Sequence, residues 1–281
     1  MAEFTMAIAG HSFAVRSLFD STRDYCARYL TGDTPEFCLE VFREELAAMQ
    51  EVLRQEALAE GMKVRTFSDP FLERTVLQQK AAQQLLRRDI LLFHGSGLAL
   101  DEDGYLFTAA RCGTGKSTHT RHWQAVFGSR VRMVNDDKPF LMITPTGVEM
   151  FGAPWSGKHG LDTNIHVPLK GLCILSRGPE NRICPLSPEQ ALPMLLHQSQ
   201  MPQKKSDLPR FYDLVQTLSQ TVRHGIQSRT DSGDPLLGIR LADAQGLQPH
   251  QSARGVHPLR GPHVYHQLQQ RPLAHLPHRP R

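Results

Sequence analysis

The stretch ILLFHGSGLALDEDGYLFTAARCGTGKS, residues 90–117, decides how this chain is read. It begins as an apolar run, ILLFHGSGLAL, which reads as a strand. It breaks over residues 101–104, resumes as YLFTAA, and passes directly into Ala110-Arg111-Cys112-Gly113-Thr114-Gly115-Lys116-Ser117. Two apolar runs about a short acidic turn with a glycine read as a β-hairpin. The eight residues that follow fit a phosphate-binding P-loop, with Ala110 where the first glycine usually stands. Gly113 and Gly115 let the backbone turn its N–H groups toward an anion, at a helix N-terminus whose dipole favours negative charge. Lys116 is placed to reach the β- and γ-phosphates, and the Ser117 hydroxyl to join a magnesium shell. The expected nucleotide-contacting set is Ala110, Gly113, Thr114, Gly115, Lys116, Ser117 and Thr118. Ala110 accepts only negative φ comfortably, so the mouth of the loop is expected to be less tight than with glycine. The plain alternative is a glycine-rich turn carrying a surface lysine.

Downstream, a helix with Trp123 and Phe127 on one side stops at Gly128, and an apolar strand, VRMVNDD, ends in Asp136 and Asp137. A nucleotide enzyme needs carboxylates at that point. One holds Mg²⁺ and the other accepts a proton from an attacking hydroxyl, and the sequence leaves the two roles unassigned. Asn-Asp-Asp also makes an ordinary turn after a strand. A hairpin, FLMI and VEMF about residues 144–147, follows, and strand-rich sequence continues to about Ser176. Ser187-Pro188-Glu189-Gln190 has capping-box spacing with proline in the first turn, and residues 211–222 show helical spacing.

Ahead of residue 90, residues 4–19 suggest a hairpin about Ala9-Gly10-His11. Two helices are expected next. Residues 44–60 place Leu46, Met49, Leu53 and Ala57 on one stripe before Gly61, and Ser68-Asp69-Pro70 opens the second, which runs to about Arg88. The last fifty or so residues differ in kind. They are rich in Pro, Gln, Arg and Gly, carry six of the 14 histidines and show no apolar period, which reads as disorder. They begin abruptly where a covering element is expected, an appearance that a shifted reading frame would produce. Three parts result: an α+β segment (1–89), a P-loop domain (90–228) and a disordered tail (229–281). The fold class expected is α/β, a mixed, largely antiparallel sheet around a P-loop helix.

Composition narrows the function classes. The formal net charge is +4, but residues 231–281 hold six Arg against three Asp, which leaves +1 for the remainder. A nearly neutral body without a Lys/Arg stripe makes no electrostatic case for nucleic acid. Five scattered cysteines with no CxxC pair indicate neither a zinc site nor a disulfide framework, and a reducing cytoplasm fits best. The N-terminus lacks the basic start of a secretory signal, and no apolar run reaches the roughly 18–20 residues of a membrane span.

The stretch FHGSGLALDEDGYLFTAARCGTGKST, followed by VNDD, resembles the core of HPr kinase/phosphorylase and the wider phosphoenolpyruvate-carboxykinase-like P-loop group. The likeness covers about residues 90–180: a His-Gly before a hairpin, the hairpin feeding the P-loop, and an Asp-Asp pair soon after. The resemblance implies that His94 lies beside the active site. It also implies that Lys116 and Ser117 are the phosphate and magnesium ligands, and that Asp136 and Asp137 are the catalytic and metal-associated aspartates. The implied reaction is transfer of a phosphoryl group from ATP or GTP, with Mg²⁺, to a hydroxyl of a protein serine or a small molecule. Where HPr kinases carry a glycine- and arginine-containing loop for their protein substrate, this chain reads FGAPWSGKHGLDTN. There Ser156 and Lys158 are candidates to close on phosphates and Trp155 to stack on a base, against the reading of a surface loop with one packed tryptophan.

The competing readings are a non-catalytic nucleotide sensor or scaffold of the same fold, carboxykinase chemistry proper, and an ordinary Ras- or ATPase-type P-loop protein. The hairpin leading to the P-loop argues against the last, which takes its P-loop from a parallel βαβ unit. His119 and His122, three apart on the post-loop helix, are read as solvated rather than metal-binding, and a redox-sensitive Cys112 thiol is set aside as the lesser reading. A homo-oligomer is compatible with all of this.

Overall fold

In the computed structural model the described residues are 2–59, 61–109, 113–178 and 182–229. Ala110, Arg111, Cys112 and the tail from residue 230 lie outside them, so the expectations for the mouth of the P-loop, for the Cys112 thiol and for a disordered tail are not addressed by the fold.

The chain opens with the expected hairpin, β1 (Ala2–Ile8) and β2 (His11–Ser17), in register from Ala2↔Ser17 to Ile8↔His11. Ala9 and Gly10 both have positive φ, 51° and 78°. Two such residues in a two-residue loop match the right-handed twist of the strands they join. Then come α1 (Asp20–Tyr25), a 3-10 turn (Ala27–Tyr29) and β3 (Phe37–Glu40), which pairs parallel to β2. None of these three short elements carries a period that a sequence reading resolves. The buried carboxylate of Glu73 accepts from the backbone N–H groups of Leu18 and Phe19 and from the Thr22 hydroxyl, so a side chain from a later helix closes the start of α1.

Helices α2 (Arg43–Ala59) and α3 (Asp69–Leu86) form as expected, α3 with Pro70 in its first turn. The run that follows is not one strand. It divides into β4 (Ile90–Leu92) and β5 (Ser96–Leu100), which pair with different partners. After β6 (Asp103–Thr108) come α4 (Lys116–Phe127), β7 (Val131–Asn135), β8 (Phe140–Thr144), β9 (Gly147–Phe151) and the long β10 (His166–Arg177). The chain continues through β11 (Arg182–Leu186), α5 (Pro188–Gln198) and α6 (Leu208–Thr221), and closes with β12 (Arg223–Arg229), one residue past the boundary read from composition. The capping box at Ser187 and Gln190 is formed in both directions.

The second sheet is curled and mixed, in the order β4-β8-β9-β10-β6-β5-β7, with β12 beside β10 and β11 beside β12. Most pairings are antiparallel, while β6, β10 and β12 run parallel. Strand β10 spans two environments: residues 166–168 pair with β9, and residues 169–177 with β6 and β12. Alternation along β6 sends Tyr105 and Phe107 against Trp123 of α4 and Leu106 into the opposite core, where α5 and α6 contribute Ala191, Leu195, Phe211 and Leu218. The α/β class and the sheet around the P-loop helix are as the sequence indicates. Among the described residues no helix is long and apolar enough to cross a membrane.

The hydrophobic core runs across the 89/90 boundary. Met6, Phe13, Val15, Leu46, Leu77 and Leu85 pack in one cluster with Ile90, Leu92, Phe140, Ala153 and Trp155. Trp155 is buried, its ring against Phe140 and its indole N–H donating to the Arg74 carbonyl at 2.8 Å. It is therefore unavailable to stack on a base. Trp155→Ala should cost roughly 3–5 kcal/mol, as large aromatic deletions in cores do. In urea, the fluorescence of the remaining Trp123 and the far-UV dichroism should unfold with one midpoint; two separate midpoints would overturn the cooperativity expected of a cluster that spans residue 90.

Candidate functional site

At the break between β4 and β5 the backbone of residues 93–95 finds its partners outside the two strands. Phe93 N–H donates to Pro139, His94 N–H to Gln198 and Gly95 N–H to Asp137, at 3.1, 2.8 and 2.9 Å, and the His94 carbonyl accepts from Thr108 Oγ1 at 2.9 Å. Every one of these bonds orients His94, whose ring stands between the P-loop helix and the end of β7. Its Nε2 lies 3.3 Å from Lys116 Nζ and 3.3 Å from Asp137 Oδ1.

One ring nitrogen cannot accept from an ammonium and donate to a carboxylate at once. With its proton on Nε2, His94 faces Asp137; with the proton on Nδ1, it accepts from Lys116. Burial, reinforced by the charges of Lys138 and Lys116 and opposed by Asp137, holds the imidazole below its ordinary value and so neutral. Burial pushes the Asp137 carboxyl up, but the hydrogen bond from His94 and the charges of Lys138 and Lys116 outweigh it and bring the group below the usual range.

Asp136 is a different group. It is only 4 % exposed, and its Oδ1 accepts from Gly157 N–H at 2.6 Å. Burial raises its carboxyl, with the charge of Asp137 adding to the rise, against the pull of the Gly157 N–H and of His159. Gly157 stands so close that a Cβ there would lie 3.1 Å from Asp136 Oδ2. The turn holding Gly157 is anchored on its far side: Asp162 accepts from Ser156 Oγ at 2.9 Å, from the Tyr29 hydroxyl at 3.1 Å and from Arg28 at 3.4 Å. Gly152 begins that loop where a Cβ would collide with the Thr163 and Val134 carbonyls, so the loop lies flat against β7.

Helix α4 starts at Lys116, with Gly115 in a left-handed conformation at φ 106° and Gly113 at 77°. Both glycines of the motif thus adopt angles that other residues reach only at a cost. Gly113, Thr114, Gly115, Lys116 and Ser117 form the turn into α4, and Thr118 is exposed on its first turn. Ser156, bound to Asp162, is tied into the loop's anchor rather than directed at a phosphate, while Lys158 is exposed. His119 is not solvated: it is buried against Phe107 and accepts from the Trp123 indole at 3.2 Å. Trp123 at i+4 carries the N–H that satisfies it, which is the signal for a packed histidine. Among the described residues no group of three or more His, Cys, Asp or Glu is placed to hold a metal.

Two contributors escaped the sequence reading. Arg177 ends β10 beside the end of β6 and donates to the Gly113 carbonyl at 3.4 Å, bringing a cation to the P-loop. Only the parallel pairing of β6 with β10, far along the sequence, reveals that. Asn135 shares the VNDD string with the aspartates, and its short amide before a turn was the available signal.

The neutral state of His94 has a consequence for stability. As pH falls below about 6.5, an imidazole of ordinary value in the unfolded chain takes up a proton that the folded site resists, so stability drops on acidification. His94→Gln should flatten the dependence of the urea midpoint between pH 7 and pH 5. A variant with the wild-type slope in that window would contradict the assignment.

No protein-family model matches the chain, and neither does any curated protein. Among solved structures it is similar to the Hpr(Ser) kinase/phosphatase from Coxiella burnetii, at 14 % identity and a TM-score of 0.34, over 54 % of this chain and 88 % of that one.

Proposed function

We propose that the chain is a nucleotide-dependent phosphotransferase, moving the γ-phosphoryl group of ATP or GTP to a hydroxyl of a protein serine or a small molecule. The observation that carries this reading is the meeting of the P-loop lysine, His94 and Asp137 through two 3.3 Å contacts at the start of α4. Lys116 and the N–H groups at the head of α4 bind the β- and γ-phosphates and spread the charge that builds as the phosphoryl group moves. The acceptor oxygen forms the new bond to phosphorus while the bond to the β-phosphate oxygen breaks, and the hydroxyl proton passes to the Asp137 carboxylate. That carboxylate is ionised at neutral pH and about one-third exposed, so a hydroxyl can reach it. His94 holds it in place with the Nε2 proton and separates it from Lys116.

Magnesium takes oxygen donors and is commonly held through one or two carboxylates together with phosphate. The Ser117 hydroxyl and Asp137 are donors of that kind and would hold the ion, which would supply positive charge to offset that of the phosphates. Asp136, buried and bound to Gly157, supports the loop beneath the site rather than reaching substrate, which divides the roles of the pair.

Lys116→Ala should weaken ATP binding about ten- to hundred-fold in calorimetry, the loss of one charge-assisted contact of about 1.5–3 kcal/mol. Asp137→Asn should lower phosphotransfer or nucleotide turnover by roughly 10²–10⁴ with affinity almost unchanged; Asp136→Asn should lower it less. Binding that depends on Lys116 without transfer to any hydroxyl would identify a nucleotide sensor instead. Wild-type behaviour in all three variants would end the active-site assignment.

A further inference from the structure

Asn135 closes β7 with a wholly buried side chain that uses every hydrogen-bonding position an amide possesses. Nδ2 donates to the carbonyls of Ala153 at 2.7 Å and Trp155 at 3.3 Å. Oδ1 accepts from the backbone N–H groups of Asp137 at 2.8 Å and Lys138 at 2.6 Å. The reversed amide would set donor against donor and acceptor against acceptor at all four contacts, so the orientation is fixed. The acceptor end shapes the turn that presents Asp137. The donor end holds residues 153–155, directly before Ser156 and the Gly157 N–H that meets Asp136.

We infer that Asn135 is a positioning residue for both carboxylates, fixing the Asp137 turn and the Gly157 loop relative to each other through a single amide. The inference rests on the reading of Asp137 as the carboxylate of phosphoryl transfer. A polar residue that served the core alone would change stability without distinguishing these two segments from the rest of the sheet. Asn135→Ser removes the bridge. Asn135→Asp keeps an acceptor for the Asp137 and Lys138 N–H groups but sets an oxygen against the Ala153 and Trp155 carbonyls.

The test is residue-resolved amide hydrogen exchange on the full chain without nucleotide, for the wild type and both variants, together with ADP affinity measured with and without Mg²⁺. In Asn135→Ser the amides of Asp137, Lys138 and Gly157 should exchange about tenfold faster or more, while Leu172 and Ile174 of β10 keep their rates. ADP alone should bind within about threefold of wild type, and the gain conferred by Mg²⁺ should shrink about tenfold, the scale of one lost hydrogen-bond set. In Asn135→Asp, Gly157 should speed up while Asp137 and Lys138 stay protected. Wild-type exchange at Asp137, Lys138 and Gly157 in a folded variant would overturn the inference, as would equal acceleration throughout β10. If Asn135→Ser does not fold, the split between Gly157 and the Asp137 turn in Asn135→Asp decides. If the wild type binds no ADP, the phosphotransferase reading fails while the exchange pattern still judges the role of Asn135.

Discussion

Between Leu92 and Ser96 the chain leaves one row of strands for another, and the backbone groups stranded in that step must find partners, because buried N–H and C=O groups left unpaired are costly. The partners they find are Pro139, Gln198, Asp137 and Thr108. These come from the turn after β7, from the end of α5 and from the last residue of β6, the strand that leads to the P-loop. Satisfying the break in the sheet therefore draws the aspartate turn and the P-loop strand to the same spot, with His94 at its centre. Leu106 and the Phe107 carbonyl lie so near Gly95 that a Cβ there would approach within 3.0 Å of both. The step can be taken only with a residue that leaves this space open.

The two aspartates show how neighbouring, chemically identical groups come to differ. Both lie in the bend that follows β7, where their side chains reach different partners. Burial raises one carboxyl despite the Gly157 N–H it accepts from, while the other meets His94 and two lysine charges and falls. A carboxylate that stays charged suits a cation or a departing proton, whereas one that is already satisfied by a backbone N–H suits a joint. The difference between the two carboxyls follows from local partners and burial rather than from residue type.

Most of the fold was legible because its signals are local. The Ala9-Gly10 turn, the Ser187 capping box and the hairpin at residues 101–104 each lie within a few residues of what they specify. The P-loop, the post-loop helix and the aspartate strand were legible for the same reason, together with the candidates His94, Lys116, Asp136 and Asp137. Features that depend on distant pairing were not. The strands at residues 90–92 and 96–100 are buried on both faces, so the run lacks the alternation that would reveal that they pair with different partners. His119 looked solvated until Trp123 and Phe107 enclosed it, and Trp155 looked available until Arg74 and Phe140 claimed it. Arg177 reached the P-loop only through the register of β10 against β6.

The cluster that joins Phe13 and Leu77 to Phe140 and Trp155 makes the break in sequence character near residue 90 a poor guide to where the molecule can be cut. A shortened protein begun there would keep the glycine-rich loop before α4 but bare one side of β4, strip Trp155 of its Arg74 acceptor and leave Asp162 without Tyr29 and Arg28. Because Asp162 steadies the turn that carries Gly157, the damage would arrive at Asp136 through a chain of contacts that begins in the first thirty residues. For anyone seeking a minimal folded piece, the opening sheet is part of the frame.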